Sequence, residues 1–88
     1  SVTPEVRVVI LDMAEVNMID MSAIIAMESI SRNLEKAGAG LVINQLQPRM
    51  ILKLRRAGLR KKLGRVAFSR SIPDALQKAH KMLQQMPA

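Results

Sequence analysis

The sequence predicts an α/β fold with the element order β-α-β-α-β-α, a parallel sheet joined by helical crossovers. Three observations carry that expectation. The runs VRVVILDM, GLVINQL and GRVAFS are rich in β-branched and aliphatic residues. They lack the alternation of a strand with one wet face, so each reads as a strand buried on both sides. Between and after them, apolar residues recur at spacings of three and four, the period of a helix packed along one side. Parallel neighbours cannot be joined by a tight turn, and such helices supply the long connection they need.

Each element follows in order. The first helix is expected to end at Ala37, with Ala23, Met27, Ile30, Leu34 and Ala37 facing inward, before Gly38 and Gly40 stop it. Pro48 follows the second strand where a helix would begin, a place where its missing N–H costs nothing. Met50, Leu54 and Ala57 would face inward from that helix, and Gly58 would end it. Ser71 and Asp74, three residues apart, form a capping box for the last helix, whose apolar stripe reads Ile72, Leu76, Ala79, Leu83 and Met86. Right-handed crossovers between strands in spatial order put both connecting helices on one face of the sheet. The first strand is then a hydrophobic edge, which stable proteins avoid. The expectation is that residues 1–88 form the later part of one domain in which something upstream of Ser1 covers that edge, or that a second copy pairs with it.

Composition narrows the function. With one Phe, no Tyr and no Trp among 88 residues, the core must be aliphatic. The absence of Cys removes disulfides, thiolate metal sites and Cys nucleophiles. No apolar run approaches the roughly 18 residues of a membrane span, and SVTPEVR lacks the charged and apolar regions of a signal peptide, so the chain itself is expected to be soluble. The net charge is +7, and it is uneven: ten basic and no acidic residues lie between Lys36 and Arg70, whereas the first 35 residues are acidic on balance. Such a block suits nucleic acid, an anionic membrane surface or an acidic protein, or is simply a solvated face.

Within that frame the stretch VNMIDMSAII, residues 16–25, hands a strand over to a helix. It lies on the side of the sheet where open α/β folds place their sites. Asp20 or Ser22 would cap the helix, Ser22 is a candidate phospho-acceptor, and Asn17, Asp20, Met21 and Ser22 form a candidate partner-docking turn. No glycine-rich phosphate loop follows any strand. His80 has no Cys and no acidic partner at triad or metal spacing, and Asp12 reads as a turn residue, so no catalytic residue, metal ligand or cofactor is expected. Arg49, Lys53 and Arg56 recur at spacings of four and three, and Arg60, Lys61, Lys62 and Arg65 extend them into one basic surface. Aromatic stacking platforms and a preceding helix-turn-helix partner are both missing there, which argues against nucleic acid and for anionic lipid headgroups or an acidic cytosolic protein.

The strand ending in Leu-Asp, the IDMSA turn, the LQPR helix opening, the AGL ending and the SIPDAL start together resemble a STAS domain. This is the fold of bacterial anti-sigma-factor antagonists and of the cytoplasmic C-terminal tail of SulP anion permeases. LQPRMILKLRRAGLRKKLGRVAFSR is most similar to the permease branch. The resemblance implies that the part of the domain missing before Ser1 is its first strands and a helix. The resemblance implies a non-catalytic regulatory and protein-interaction domain of a sulfate or related anion transporter. Its first partner would be the transmembrane part of its own permease, at the cytoplasmic face of the bacterial inner membrane. The alternative it implies is a free-standing antagonist of an anti-sigma factor, switched by phosphorylation at Ser22. In that branch the turn reads Asp-Ser-Ser/Thr-Gly; here Ser22 matches the second hydroxyl, while Met21 replaces the first and Ala23 the glycine. A third reading, from fold class alone, is a nucleotide-binding domain.

Overall fold

The computed structural model describes residues 6–15, 21–56 and 66–86. Strands β1 (Val8–Asp12), β2 (Gly40–Asn44) and β3 (Val66–Ser69) form one parallel sheet in the order β1-β2-β3. Helices α1 (Met21–Lys36), α2 (Pro48–Arg56) and α3 (Ile72–Gln85) alternate with them, which is the predicted order. Pro48 is the first residue of α2, as its fixed φ and missing donor favour.

The central strand decides where the core sits. Successive side chains of β2 point to opposite faces, and all five are buried. Leu41 and Ile43 join Ile24, Met27 and Leu34 of α1 and Met50 and Leu54 of α2. Val42 meets Ala75 and Ala79 of α3 on the other side. Both connecting helices therefore cover one face, as the crossover argument requires, and the last helix covers the other. Burying a side chain such as Leu41, Ile43 or Leu54 completely is worth roughly 1.5–3 kcal/mol, and this three-layer arrangement is what makes that burial available.

Two helices are rotated from their expected faces. On α1 the inward residues are Ile24, Met27, Ser31 and Leu34, whereas Ile30 and Ala37 are exposed. A search for apolar letters passes over Ser31, yet its hydroxyl is buried at no loss because it donates to the Met27 carbonyl at 2.8 Å. On α3 the inward set is Ala75, Ala79, Met82 and Met86. Of the expected stripe only Ala79 and Met86 are buried; Ile72, Leu76 and Leu83 are exposed. α2 keeps its expected face through Met50 and Leu54, while Ala57 and Gly58 lie outside the described residues.

The helix ends explain how the chain reverses. At the end of α1 the Ala39 N–H donates to the Leu34 carbonyl and the Gly38 N–H to the Glu35 carbonyl, with Gly38 at φ 75°. This is the Schellman arrangement, and Leu34 and Ala39 are both buried in the core beneath it. A Cβ at Gly38 would meet nothing within 4 Å, so only backbone strain opposes a side chain there. Gly38→Ala is therefore expected to cost about 1 kcal/mol, read as a lower urea midpoint with an unchanged slope.

At the start of α3 the Ser71 hydroxyl accepts from the Asp74 N–H at 3.2 Å, as the capping box predicts. The Asp74 carboxylate does not return to the Ser71 N–H; it accepts from the Arg70 N–H at 3.1 Å and pairs with Lys78 at 3.3 Å. The Arg70 N–H bond first, and Lys78 second, hold the Asp74 carboxyl below its ordinary value of 3.8. A depressed folded-state pKa gives stability that is complete above the ordinary value and is lost as pH falls through the folded one. Asp74→Asn is thus expected to flatten the acid limb of the stability profile below about pH 4 and leave the shape near neutrality unchanged, as measured by urea unfolding against pH.

Candidate functional site

All three strands end in a polar residue at the same level of the sheet. Asp12 pairs in register with Asn44, and Asn44 with Ser69. Parallel register puts their side chains on one face, and they join hands there. Ser69 Oγ donates to Asn44 Oδ1 at 2.8 Å, and Asn44 Nδ2 donates to Asp12 Oδ1 at 3.2 Å. Asn44 and Ser69 are buried, while Asp12 is exposed and also accepts from the Ala14 N–H at 3.1 Å, the turn role expected of it. The row ties the carboxyl ends of the strands together and fixes where the following loops depart. Its members are bonded to one another, so it is a clasp that positions the site.

Past the clasp the chain turns sharply. Gln45 has φ 57°, unusual for a residue with a side chain, and its N–H donates to the Ser69 carbonyl. The turn sends residues 45–47 over the end of the sheet into α2. An open groove of about 840 Å³ lies there, lined by this loop, the first turns of α2, the end of β3 and Lys78 of α3. The one aromatic ring of the chain, Phe68, is part of its wall, and the Arg55 guanidinium stands 5.9 Å from the ring centroid.

The predicted basic surface is present on α2. Arg49, Lys53 and Arg56 are exposed about 100° around the helix from buried Met50 and Leu54, and none pairs with an acidic side chain among the described residues. Lys53, Arg55 and Arg56 also fall in the last turn of α2, where the helix dipole favours cations. Arg60, Lys61, Lys62 and Arg65 lie outside the described residues, as do Asn17 and Asp20 of the docking turn. Met21 is the first residue of α1, and Ser22 is the second, exposed at the helix start; Ser22 is thus inside the helix and does not precede it as a cap. Among the described residues no group of three His, Cys, Asp or Glu is placed to hold a metal ion. His80 is exposed, with its Nε2 3.3 Å from Gln84 Nε2.

A three-stranded parallel sheet with two helices on one face and one on the other fits the resemblance carried by IDMSA and SIPDAL. The family model of the STAS domain matches residues 1–84. The chain belongs to the STAS family. Among curated proteins none is similar enough to count as a match. STAS membership points to a regulatory or protein-interaction role, and STAS domains are generally non-catalytic. No helix among the described residues is long and apolar enough to cross a membrane.

Sequence reasoning missed the clasp and the groove. The signal for the clasp was present: VVILD, GLVIN and VAFS each close an apolar run with Asp, Asn or Ser. The groove had a weaker one, since Arg55, Phe68, Arg70 and Lys78 come from separate parts of the chain and meet only when the sheet is built.

Proposed function

We propose that this STAS domain is the cytoplasmic regulatory domain of a bacterial SulP-type permease for sulfate or a related anion. In that role its own catalytic machinery is unnecessary; it docks on the transmembrane part and on cytosolic or membrane surfaces. The observation that carries the reading is the segment LQPRMILKLRRAGLRKKLGRVAFSR, similar to permease tails, whose described portion displays Arg49, Lys53 and Arg56 on one exposed helical face. A stripe of that sign suits anionic headgroups beside a membrane-embedded partner, each cation near the surface contributing about 1 kcal/mol at low salt. The second contact surface is the segment Asn17, Asp20, Met21 and Ser22, of which Met21 and Ser22 begin α1; it matches in sequence the place where STAS domains of the antagonist branch carry their switch.

The experiment is an immunoblot of alkaline-washed membranes from the native source with antibody to this chain. A band several times larger than 9.8 kDa that stays in the membrane is the expected result. A small band in the soluble fraction would overturn it. Liposome binding of the triple variant Arg49→Glu, Lys53→Glu, Arg56→Glu tests the stripe separately; equal binding by wild type and variant would remove lipid as its partner.

One observation favours a second reading. Ser22 is exposed in the first turn of α1, where a phosphate would meet the positive end of the helix dipole. In a free-standing anti-sigma-factor antagonist it would be the switch, and mass spectrometry of the cellular protein would find phosphate there that disappears when a neighbouring kinase is deleted.

A further inference from the structure

The groove at the carboxyl end of β3 is built from a different side of α2 than the basic stripe. Pro48, Ile51, Leu52 and Arg55 follow one another at i, i+3, i+4 and i+7 and all line it. Arg49, Lys53 and Arg56 fall at matching turns one residue later, and so stand about 100° around the helix. The groove side is mixed in character. Leu52 is 47% exposed although it is apolar, Ile51 is half-buried, and Phe68 adds an aromatic ring beside them. Three cations surround this apolar floor: Arg55 over the ring, Arg70 just beyond β3, and Lys78 reaching across from α3. Arg55 has no acidic side-chain partner among the described residues, whereas Lys78 pairs with Asp74, whose carboxylate also accepts from the Arg70 N–H and feels the Arg70 charge.

We propose that this groove docks an acidic, amphipathic peptide segment of a partner protein, with an apolar side chain against Phe68, Ile51 and Leu52 and carboxylates toward Arg55 and Arg70. Charge and shape select that occupant. Every charged side chain that lines the groove is a cation, with Gln45, Gln47 and Ser69 as neutral polar neighbours and Asp74 at the edge against Lys78, and an apolar floor among cations matches a segment that alternates carboxylates with apolar residues. A second copy of this chain fits poorly, because each copy carries +7. Lipid headgroups meet exposed convex faces such as the stripe more readily than a recess walled by a loop and two helices. β3 is an edge strand, yet the Lys78 ammonium takes the Phe68 carbonyl, an acceptor that an added strand would require. The segment is therefore held by side chains, not by extension of the sheet.

The proposal rests on reading the domain as an interaction module, but not on its attachment to a permease. A soluble band in the membrane experiment leaves it standing, and its own failure leaves the membrane experiment untouched. The probes are two fluorescein-labelled peptides, one alternating Asp or Glu with Leu, the other with Ser replacing every Leu. Each is titrated by anisotropy and by amide resonance shifts into the full chain. The Leu peptide is expected to bind at least tenfold tighter than the Ser peptide and to shift amides of residues 45–47, 49–52 and 68–70. Arg55→Glu and Arg70→Glu each weaken it at least tenfold, whereas Lys53→Glu, the same charge change on the stripe, alters it less than threefold. Equal binding of the two peptides would overturn the proposal, as would equal effects of Lys53→Glu and Arg70→Glu. Peptide-induced shifts that map elsewhere would overturn it too. So would phosphatidylserine vesicles that shift the groove amides, a result that assigns the site to lipid. The wild-type shift map needs no variant, so a variant that fails to fold does not remove the test.

Discussion

Asn44→Ala is expected to destabilise the domain by about 2–4 kcal/mol, read by urea unfolding with circular dichroism. The side chain is fully buried, and it is the middle member of the clasp that joins three strand ends. Truncation leaves a small cavity and strands the Ser69 hydroxyl, a buried donor that loses its acceptor. A stranded buried group alone costs about 1–3 kcal/mol, which dominates the loss of Asn volume. Asn44→Asp is the sharper form of the test. It keeps the shape and the acceptor for Ser69, but it places a second carboxylate against Asp12 Oδ1, where the amide nitrogen stands 3.2 Å away in the wild type. Burial and the like charge both raise the folded-state pKa of the new carboxyl above its unfolded value. Such a group leaves stability intact below the unfolded value, about 3.9, and erodes it as pH rises, by about 1.4 kcal/mol per unit until the folded pKa is reached. The variant is therefore expected to approach wild-type stability near about pH 3 and to fall steadily behind it toward neutrality. A stability difference independent of pH would mean that the clasp does not form.

The clasp also illustrates what the sequence discloses. Element order was legible because it rests on features that act locally: unbroken β-branched runs for the strands, Pro48 and Ser71 for helix starts, Gly38 for a helix end. The placement of both connecting helices on one face was legible because crossover handedness leaves little choice; the face taken by the last helix, which is no crossover, was not. Helix rotation was not, because a small polar residue can face inward when it bonds its own backbone, as Ser31 does, and an apolar residue can face outward at modest cost, as Ile25 and Leu76 do. Of the site, the stripe of Arg49, Lys53 and Arg56 was readable because one helix carries it. Register decides that Asp12, Asn44 and Ser69 are neighbours, and register follows from how whole strands bury their faces, so no local window contains it. The groove depends on that same register, together with the left-handed turn at Gln45 that swings α2 over the end of β3.

The rotation of α3 leads to the second large effect. Ala75→Leu is expected to cost about 1–3 kcal/mol, and Leu76→Ala about 0.5 kcal/mol or less. Ala75 is 0% exposed and meets Val42 of the central strand, so the helix approaches the sheet there at a distance that a methyl group sets. Three added carbons must push α3 off the sheet or force an unfavourable rotamer, and a close-packed interior yields little to either. Leu76 is 57% exposed, and its truncation removes only part of a burial while giving the helix its most favourable residue. The apolar periodicity Ile72, Leu76, Ala79, Leu83, Met86 leads to the opposite ranking, with Leu76→Ala as a core truncation costing about 2–5 kcal/mol and Ala75→Leu as a rim change of small effect. Thermal unfolding separates the two, because 1 kcal/mol moves the midpoint of a domain this size by roughly 4–8 °C. A Leu76→Ala midpoint well below that of Ala75→Leu would turn α3 by one residue, about 100°, and would take Lys78 away from the Phe68 carbonyl and the groove with it. The two substitutions thus test, besides the packing of one helix, the placement of one of the three cations around the proposed docking groove.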